Sequence, residues 1–183
     1  MAIRSTVYKA ELQVADMDRG HYSTHALILA RHPSETEERL MVRLLAFALN
    51  AEEGLAFGRG LSTDDEPDLW VRDLTGVIRL WIEVGLPDEK WIRKACGRAE
   101  RVLVVAYGGS KADIWWGQNA GALGRQHNLA VLRIDAEAGA ELAGLAERSM
   151  QLSCNIQDGE VWIGSGERGV SCSPAWLKAP SRS

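Results

Sequence analysis

Apolar and polar residues alternate with a period of two from Ile3 to Val14 and again from Thr24 to Ala30. That period predicts two strands, joined by the polar turn Asp16-Met17-Asp18-Arg19-Gly20. The period then lengthens. His32-Pro33-Ser34-Glu35-Thr36-Glu37 reads as a helix start, with Ser34 as N-cap and Glu37 completing a capping box. Leu40, Met41, Leu44, Leu45, Phe47 and Ala48 form the apolar face of a helix that ends near Asn50. Leu55 to Leu61 reads as a short strand, followed by the acidic loop Ser62-Thr63-Asp64-Asp65-Glu66-Pro67.

From Pro67 to Gly85 the pattern predicts a β-hairpin around Thr75-Gly76. That turn sets Leu74 opposite Val77, Arg72 opposite Arg79, Trp70 opposite Trp81 and Asp68 opposite Glu83. Leu69, Val71, Ile78, Leu80, Ile82 and Val84 fall on the other face and feed a core. The polar face therefore ends in two carboxylates whose backbones are ~5 Å apart. Like charges facing each other across a ladder destabilise it, so a compensating cation is expected there.

Beyond the hairpin, a second helix is expected from Asp88 to Glu100, with Ile92, Ala95, Cys96 and Ala99 inward. The run Val102-Leu103-Val104-Val105 within Arg101 to Ala106 has the unbroken apolarity of a buried central strand. A helix (Ala112 to Leu123), a strand (Leu129 to Ile134) and a helix (Glu137 to Arg148) follow. Met150 to Ile156 and Glu160 to Ile163 flank the hairpin turn Asp158-Gly159. The middle of the chain thus reads helix, three antiparallel strands, helix, strand. No linker rich in Pro, Gly or Ser divides it, so a single mixed α/β domain over residues 1–183 is expected.

Composition narrows the function classes. The net charge of −4 gives no bulk electrostatic case for coating nucleic acid, although an acidic metal site can sit within a locally basic groove. Arg39, Arg43, Arg59, Arg72, Arg79, Arg93, Lys94 and Arg98 are the basic residues available for one, and most read as scattered solvated charges. Cys96, Cys154 and Cys172 make neither a metal clip nor a disulfide framework. No apolar run is long enough to span a bilayer, and Met1 to Ala10 reads as strand rather than signal peptide. A cytoplasmic chain with reduced thiols and no membrane partner is expected. His21, His25, His32 and His127 lack metal-ligand spacing, and no Ser-His-Asp or Cys-His arrangement has local support. Trp70, Trp81 and Trp115-Trp116 can stack on bases, but tryptophan on a sheet face more often packs beneath a helix.

Several long blocks closely resemble the YaeQ family. They are Ala30-Arg31-His32-Pro33-Ser34-Glu35-Thr36-x-Glu38-Arg39 with Arg43-Leu44-Leu45-Ala46, Asp65-Glu66-Pro67, and Trp81-Ile82-Glu83-Val84-Gly85-Leu86-Pro87-Asp88-Glu89. Lys94-Ala95-Cys96, Ile114-Trp115-Trp116 and Ile156-Gln157-Asp158-Gly159 continue the likeness over essentially the whole chain. The resemblance implies a variation on the restriction-endonuclease-like PD-(D/E)XK core, with extra N-terminal strands and a C-terminal hairpin. Pro67-Asp68 then stands at the PD and Glu83-Val84-Gly85 at the (D/E)XK. It implies Asp68 and Glu83 as ligands of Mg²⁺, or Mn²⁺, in phosphodiester hydrolysis, with nucleic acid as the partner and no small-molecule cofactor.

Gly85 departs from that pattern, because it stands where the family of nucleases keeps a lysine. Lys94 on the following helix, and Lys90 behind it, are the replacements to test, although Lys94 lies almost opposite the helix's apolar face. A third acid often comes from the first core helix. Glu38 is the preferred member and Glu35 the reserve, while Glu37 is explained by capping. Asp64, Asp65 and Glu66 read first as a solvated acidic turn that can supplement the metal site. The reading of a different class is a non-catalytic nucleic-acid-associated or regulatory protein that keeps the fold.

Overall fold

The computed structural model describes residues 4–59 and 65–181. The start of the first expected strand at Ile3, the end of the third at Leu61, and Ser62 to Asp64 of the acidic loop lie outside them.

Two sheets enclose a buried helix. β1 (Thr6–Asp16) and β2 (His21–Arg31) pair antiparallel, and β1 also pairs parallel with β8 (Ser149–Gln157). β9 (Glu160–Ser165) and β10 (Arg168–Cys172) complete a five-stranded sheet of order β10-β9-β8-β1-β2. The second sheet has the order β11-β7-β6-β5-β4-β3. Its strands are β3 (Ala56–Phe57), β4 (Leu69–Arg72), β5 (Ile78–Val84), β6 (Ala99–Ala106), β7 (Leu129–Arg133) and β11 (Ala175–Lys178). β3, β4 and β5 are antiparallel neighbours, whereas β5, β6 and β7 run parallel.

Parallel strands need crossovers, and helices α2 (Glu89–Arg98) and α3 (Ser110–Leu123) supply them. They cover one face of the six-stranded sheet, where Ile92, Ala95, Trp115 and Leu123 pack on Trp70, Trp81, Val102, Val104 and Val131. The other face carries Leu69, Val71, Leu80, Ile82, Val84, Leu103 and Val105, and packs on α1 (Glu37–Asn50) and α4 (Ala136–Ala143). Beyond those helices lies the five-stranded sheet, through Leu12, Leu29, Leu152 and Ile163. Sandwiched this way, α1 is buried at every residue from Leu40 to Ala48, so the single apolar face expected of it is too narrow a description.

Other expectations also change. The N-cap of α1 is Thr36, whose hydroxyl accepts from Arg39 N–H at 3.1 Å. Glu37 is therefore the first helical residue and cannot close a capping box with Ser34, whose hydroxyl bonds His32 Nδ1 instead. Near its turn the hairpin departs from the expected register. Trp70 pairs with Trp81, but a bulge between Val71 and Arg72 puts Arg72 opposite Ile78 rather than Arg79. Asp73 organises that turn by accepting from Thr75 N–H, the Thr75 hydroxyl and Val77 N–H. The expected third strand shrinks to two described residues, α4 stops at Ala143, and β10 and β11 are additional. The Asp158-Gly159 turn forms with both residues at positive φ, 53° and 76°. No described helix is long and apolar enough to cross a membrane.

Candidate functional site

The carboxyl ends of parallel strands flanked by helix N-termini form the crevice in which open α/β sheets bind ligands. Glu83 sits at that end of β5, and the chain turns through Gly85 into α2. Gly85 adopts φ 113°, a conformation that suits glycine, and donates its N–H to Val105 on β6 at 2.9 Å. Asp88 then caps α2 by accepting from Lys90 N–H at 2.8 Å.

Asp68 enters the same end from the start of β4, held by its N–H to Ile82 O at 3.1 Å. Its two oxygens are both engaged. Oδ1 accepts from Arg39 Nη2 at 2.7 Å and Oδ2 from Val84 N–H at 2.8 Å. The Arg39 guanidinium also reaches Glu35 Oε2 at 2.6 Å and Val84 O at 3.3 Å. Glu35 is further bound by buried Arg43, which donates Nε to Oε2 at 3.0 Å and Nη2 to Oε1 at 2.7 Å. Two acids and two guanidiniums thus form one ion-pair chain running from between the sheets to the strand ends. Burial works against the Arg39 charge, but the pairs with Asp68 and Glu35 more than offset it and raise its pKa above the ordinary value.

Glu83 is treated differently. It is 8% exposed, and its Oε1 accepts two indole N–H bonds, from Trp81 at 2.8 Å and Trp91 at 2.7 Å. Burial, and then the charge of Asp68, push its carboxyl up to about 7, and the two indole donors only moderate that rise. A group poised near neutrality at a strand end is chemically versatile, since it can hold or release a proton. Tyr107, at the end of β6, lies beside this cluster. Burial raises its phenol above the ordinary value, while the nearby Arg39 charge and a hydrogen bond with Thr36 act the other way.

Asp68 and Glu83 share one strand end, where the charge of Asp68 acts on Glu83, and Glu35, the reserve acid, is linked to Asp68 through Arg39. Glu38 does not bond to this cluster. It leans on α4, with its carboxylate so close over Gly139 that a Cβ there would collide with it. Lys94 makes no ion pair with a described carboxylate and lies over the Trp91 ring at 5.5 Å. Asp65 contributes only its carbonyl, to Arg98 at 3.4 Å, and Glu66 pairs with Arg59. Asp64 lies outside the described residues. The thiols of Cys96, Cys154 and Cys172 are unpaired, and burial raises them to about 11, 12 and 12.

In the sequence Arg39 and Arg43 stand among the candidate groove cations and in the family-like blocks, with no ion-pair role assigned to either. The readable signal was the spacing Glu35, Arg39, Arg43 at intervals of four, which sets an acid just ahead of the N-cap within reach of two guanidiniums on α1. Trp91 carried no comparable signal, because its partner Glu83 is on another element.

Magnesium demands several hard oxygen ligands in near-octahedral geometry. Here both Asp68 oxygens and Glu83 Oε1 are already hydrogen-bonded, and Arg39 supplies the positive charge beside Asp68. Among the described residues no group of three or more His, Cys, Asp or Glu is placed to hold a metal ion. The cluster as arranged does not fit that ion.

Fold and site together define a mixed α/β protein with a buried acid–arginine cluster at the carboxyl ends of its parallel strands. The chain belongs to the YaeQ family, whose model, described as YaeQ protein, matches residues 1–174. It is 44% identical to YaeQ of Escherichia coli K12 and 45% identical to YaeQ of Salmonella typhi. Each match covers 99% of this chain and 100% of the relative. The crystal structure of YaeQ from Xanthomonas axonopodis pv. citri is similar with a TM-score of 0.93 at 53% identity, covering 96% of this chain and 99% of that one. That of YaeQ from Pseudomonas syringae gives 0.91 at 38%, covering 96% and 97%.

Proposed function

We propose that this chain is a nucleic-acid-associated binding protein built on a PD-(D/E)XK-type core, with an arginine clamp in place of the catalytic metal. Support for the core is its element order. α1, the antiparallel β3, β4 and β5, then α2 and the parallel β6 follow one another, with Asp68 and Glu83 brought to one strand end. The observation that carries the binding reading is Arg39. Its guanidinium bridges Glu35 and Asp68 and neutralises charge where a nuclease would use a divalent cation. Gly85, with no side chain, removes the in-line amine as well.

Metal-dependent phosphodiester hydrolysis with Mg²⁺ or Mn²⁺ is the second reading, favoured by the convergence of Asp68 and Glu83. It requires Arg39 to release Asp68. The two readings separate in one assay, in which labelled single- and double-stranded DNA and RNA are incubated with the protein and either metal. The binding reading expects complexes by fluorescence anisotropy and intact substrate. Cleavage that needs metal and disappears in Asp68→Asn and Glu83→Gln would overturn it. Absence of both complex and cleavage would overturn both.

A further inference from the structure

Beside Glu83 the surface carries cations that the acid cluster does not use. Lys90, Lys94 and Arg98 recur at intervals of four along α2, so they rise along one stripe roughly 6 Å apart. All three are exposed, and none is ion-paired with a described carboxylate. Like charges at that spacing destabilise a helix, so the stripe is an electrostatic cost that capping and packing must offset. The other basic residue of α2, Arg93, is neutralised by Glu89 at 2.7 Å.

Tryptophans lie under two of these cations. Lys94 Nζ lies 5.5 Å from the centre of Trp91, and the Arg98 guanidinium 5.0 Å from the centre of Trp81. Across from them on β4, exposed Arg72 lies 4.0 Å over Trp70. The three indoles pack edge to face, Trp70 with Trp81 at 6.2 Å and Trp81 with Trp91 at 5.9 Å. They form a continuous floor, cations stand over each ring, and the floor ends at Glu83 through the N–H groups of Trp81 and Trp91. Trp81 is fully buried and Trp70 is 9% exposed, so neither ring can stack on a base. A ring quadrupole that fixes a cation leaves its charge outward, where it suits a phosphate.

We infer that the exposed cationic strip of α2, with Arg72 on β4, serves as the groove for a phosphodiester chain, gripped at its phosphates by Lys90, Lys94, Arg98 and Arg72. This rests on the nucleic-acid reading above and assigns it a surface. Because the grip is on phosphates, binding is indifferent to base sequence and strongly salt-dependent. Four phosphate contacts to a single strand give a slope of log K against log salt of about −3.

The test is anisotropy with labelled single-stranded oligonucleotides of mixed and homopolymer sequence, titrated against KCl. Lys90→Glu/Lys94→Glu is compared with Lys9→Glu/Arg125→Glu, which changes net charge equally at exposed positions away from the groove. The groove pair should bind at least tenfold more weakly and flatten the slope by about 1.4, while the control pair stays within about twofold. Lys90→Gln/Lys94→Gln makes the same comparison without charge reversal, should the first pair fail to fold. Equal weakening by both pairs, or competition by polyglutamate as effective as by oligonucleotide, would overturn the groove. Undiminished binding by the groove pair overturns the groove while leaving the nucleic-acid reading standing, and no binding by the parent overturns both.

Discussion

The layers beneath α1 and α2 each bury a glutamate, and they treat it in opposite ways. Under α1, Glu35 accepts three bonds from the guanidiniums of Arg39 and Arg43, and the cluster is neutral in sum. Under α2, Glu83 bonds two uncharged indole donors beside a neighbouring acid, and the Arg39 charge is the weakest influence on it. A buried carboxylate matched by cations is held for structure, because its charge is already compensated. One left with neutral donors keeps its affinity for a proton and can exchange it near neutral pH. The contrast sets a carboxyl able to titrate under α2 against a charge-matched brace under α1.

The largest effect should come from breaking the brace. Arg43→Leu leaves Glu35 buried with Arg39 as its only side-chain donor, and removing one partner of a buried pair costs about 3–5 kcal/mol. Urea unfolding measures it. Replacing Glu35 and Arg43 together by Met should cost much less than the sum of the singles, because no uncompensated charge then remains. A cost below ~1 kcal/mol for Arg43→Leu would mean that the two layers are not distinguished by charge matching.

The next effect is on pH dependence. Glu83 in the folded protein titrates at about 7 against an ordinary 4.5, because burial first and Asp68 second disfavour its charge. Between those values the native state holds a proton that the unfolded chain has released. The stabilisation from this residue is therefore full below about pH 4.5 and is lost as pH rises through about 7. The span of the shift corresponds to about 3 kcal/mol. Glu83→Gln keeps an oxygen for both indoles, should remove that part of the stability–pH profile, and should be the more stable protein at pH 8. Parallel profiles for parent and variant between pH 4.5 and 7.5 would return Glu83 to the status of Glu35.

Much of this was legible in the chain, for reasons that differ by element. The period-two pattern around Thr75-Gly76 brought Asp68 and Glu83 to one end because strand pairing near them is regular, and the bulge at Arg72 falls nearer the turn. The apolar run Val102-Leu103-Val104-Val105 marked the central strand because both of its faces are covered. What stayed hidden depends on partners distant in sequence. The division into two sheets follows from β1 pairing with β8, as in Lys9 with Ser149, and no local pattern encodes that choice. Arg43 read as a solvated charge because nothing in α1 alone reveals that a second sheet covers its other side. Lys94, judged a surface residue from helical geometry, is exposed, yet Trp91 holds it near Glu83.

A smaller effect sharpens the environment of Glu83. Trp91→Phe keeps an aromatic side chain but deletes one indole N–H, a loss of about 1–2 kcal/mol at a partly buried site. Because that bond favours the ionised carboxylate, its removal should move the Glu83 titration upward, as followed by the carboxyl carbon shift in NMR. An unchanged midpoint would remove the Trp91 bond from the influences that set it.

The smallest effect tests whether the two layers are energetically separate. Thr36 caps α1 through its hydroxyl, whereas the Ser34 hydroxyl bonds only His32 at an exposed position. Thr36→Ala should cost about 1 kcal/mol, and Ser34→Ala a few tenths at most. Loosening the first turn of α1 acts on Arg39, whose backbone N–H is the capped donor and whose side chain holds Asp68. The Arg39 charge is the weakest of the influences on Glu83, behind burial, Asp68 and both indoles. Thr36→Ala should therefore lower stability while leaving the Glu83 midpoint within about 0.2 pH units, since a tenfold change in its protonation equilibrium needs 1.36 kcal/mol of differential interaction. A midpoint displaced by half a unit or more would show that the brace sets the protonation of the site, and that the two layers act as one.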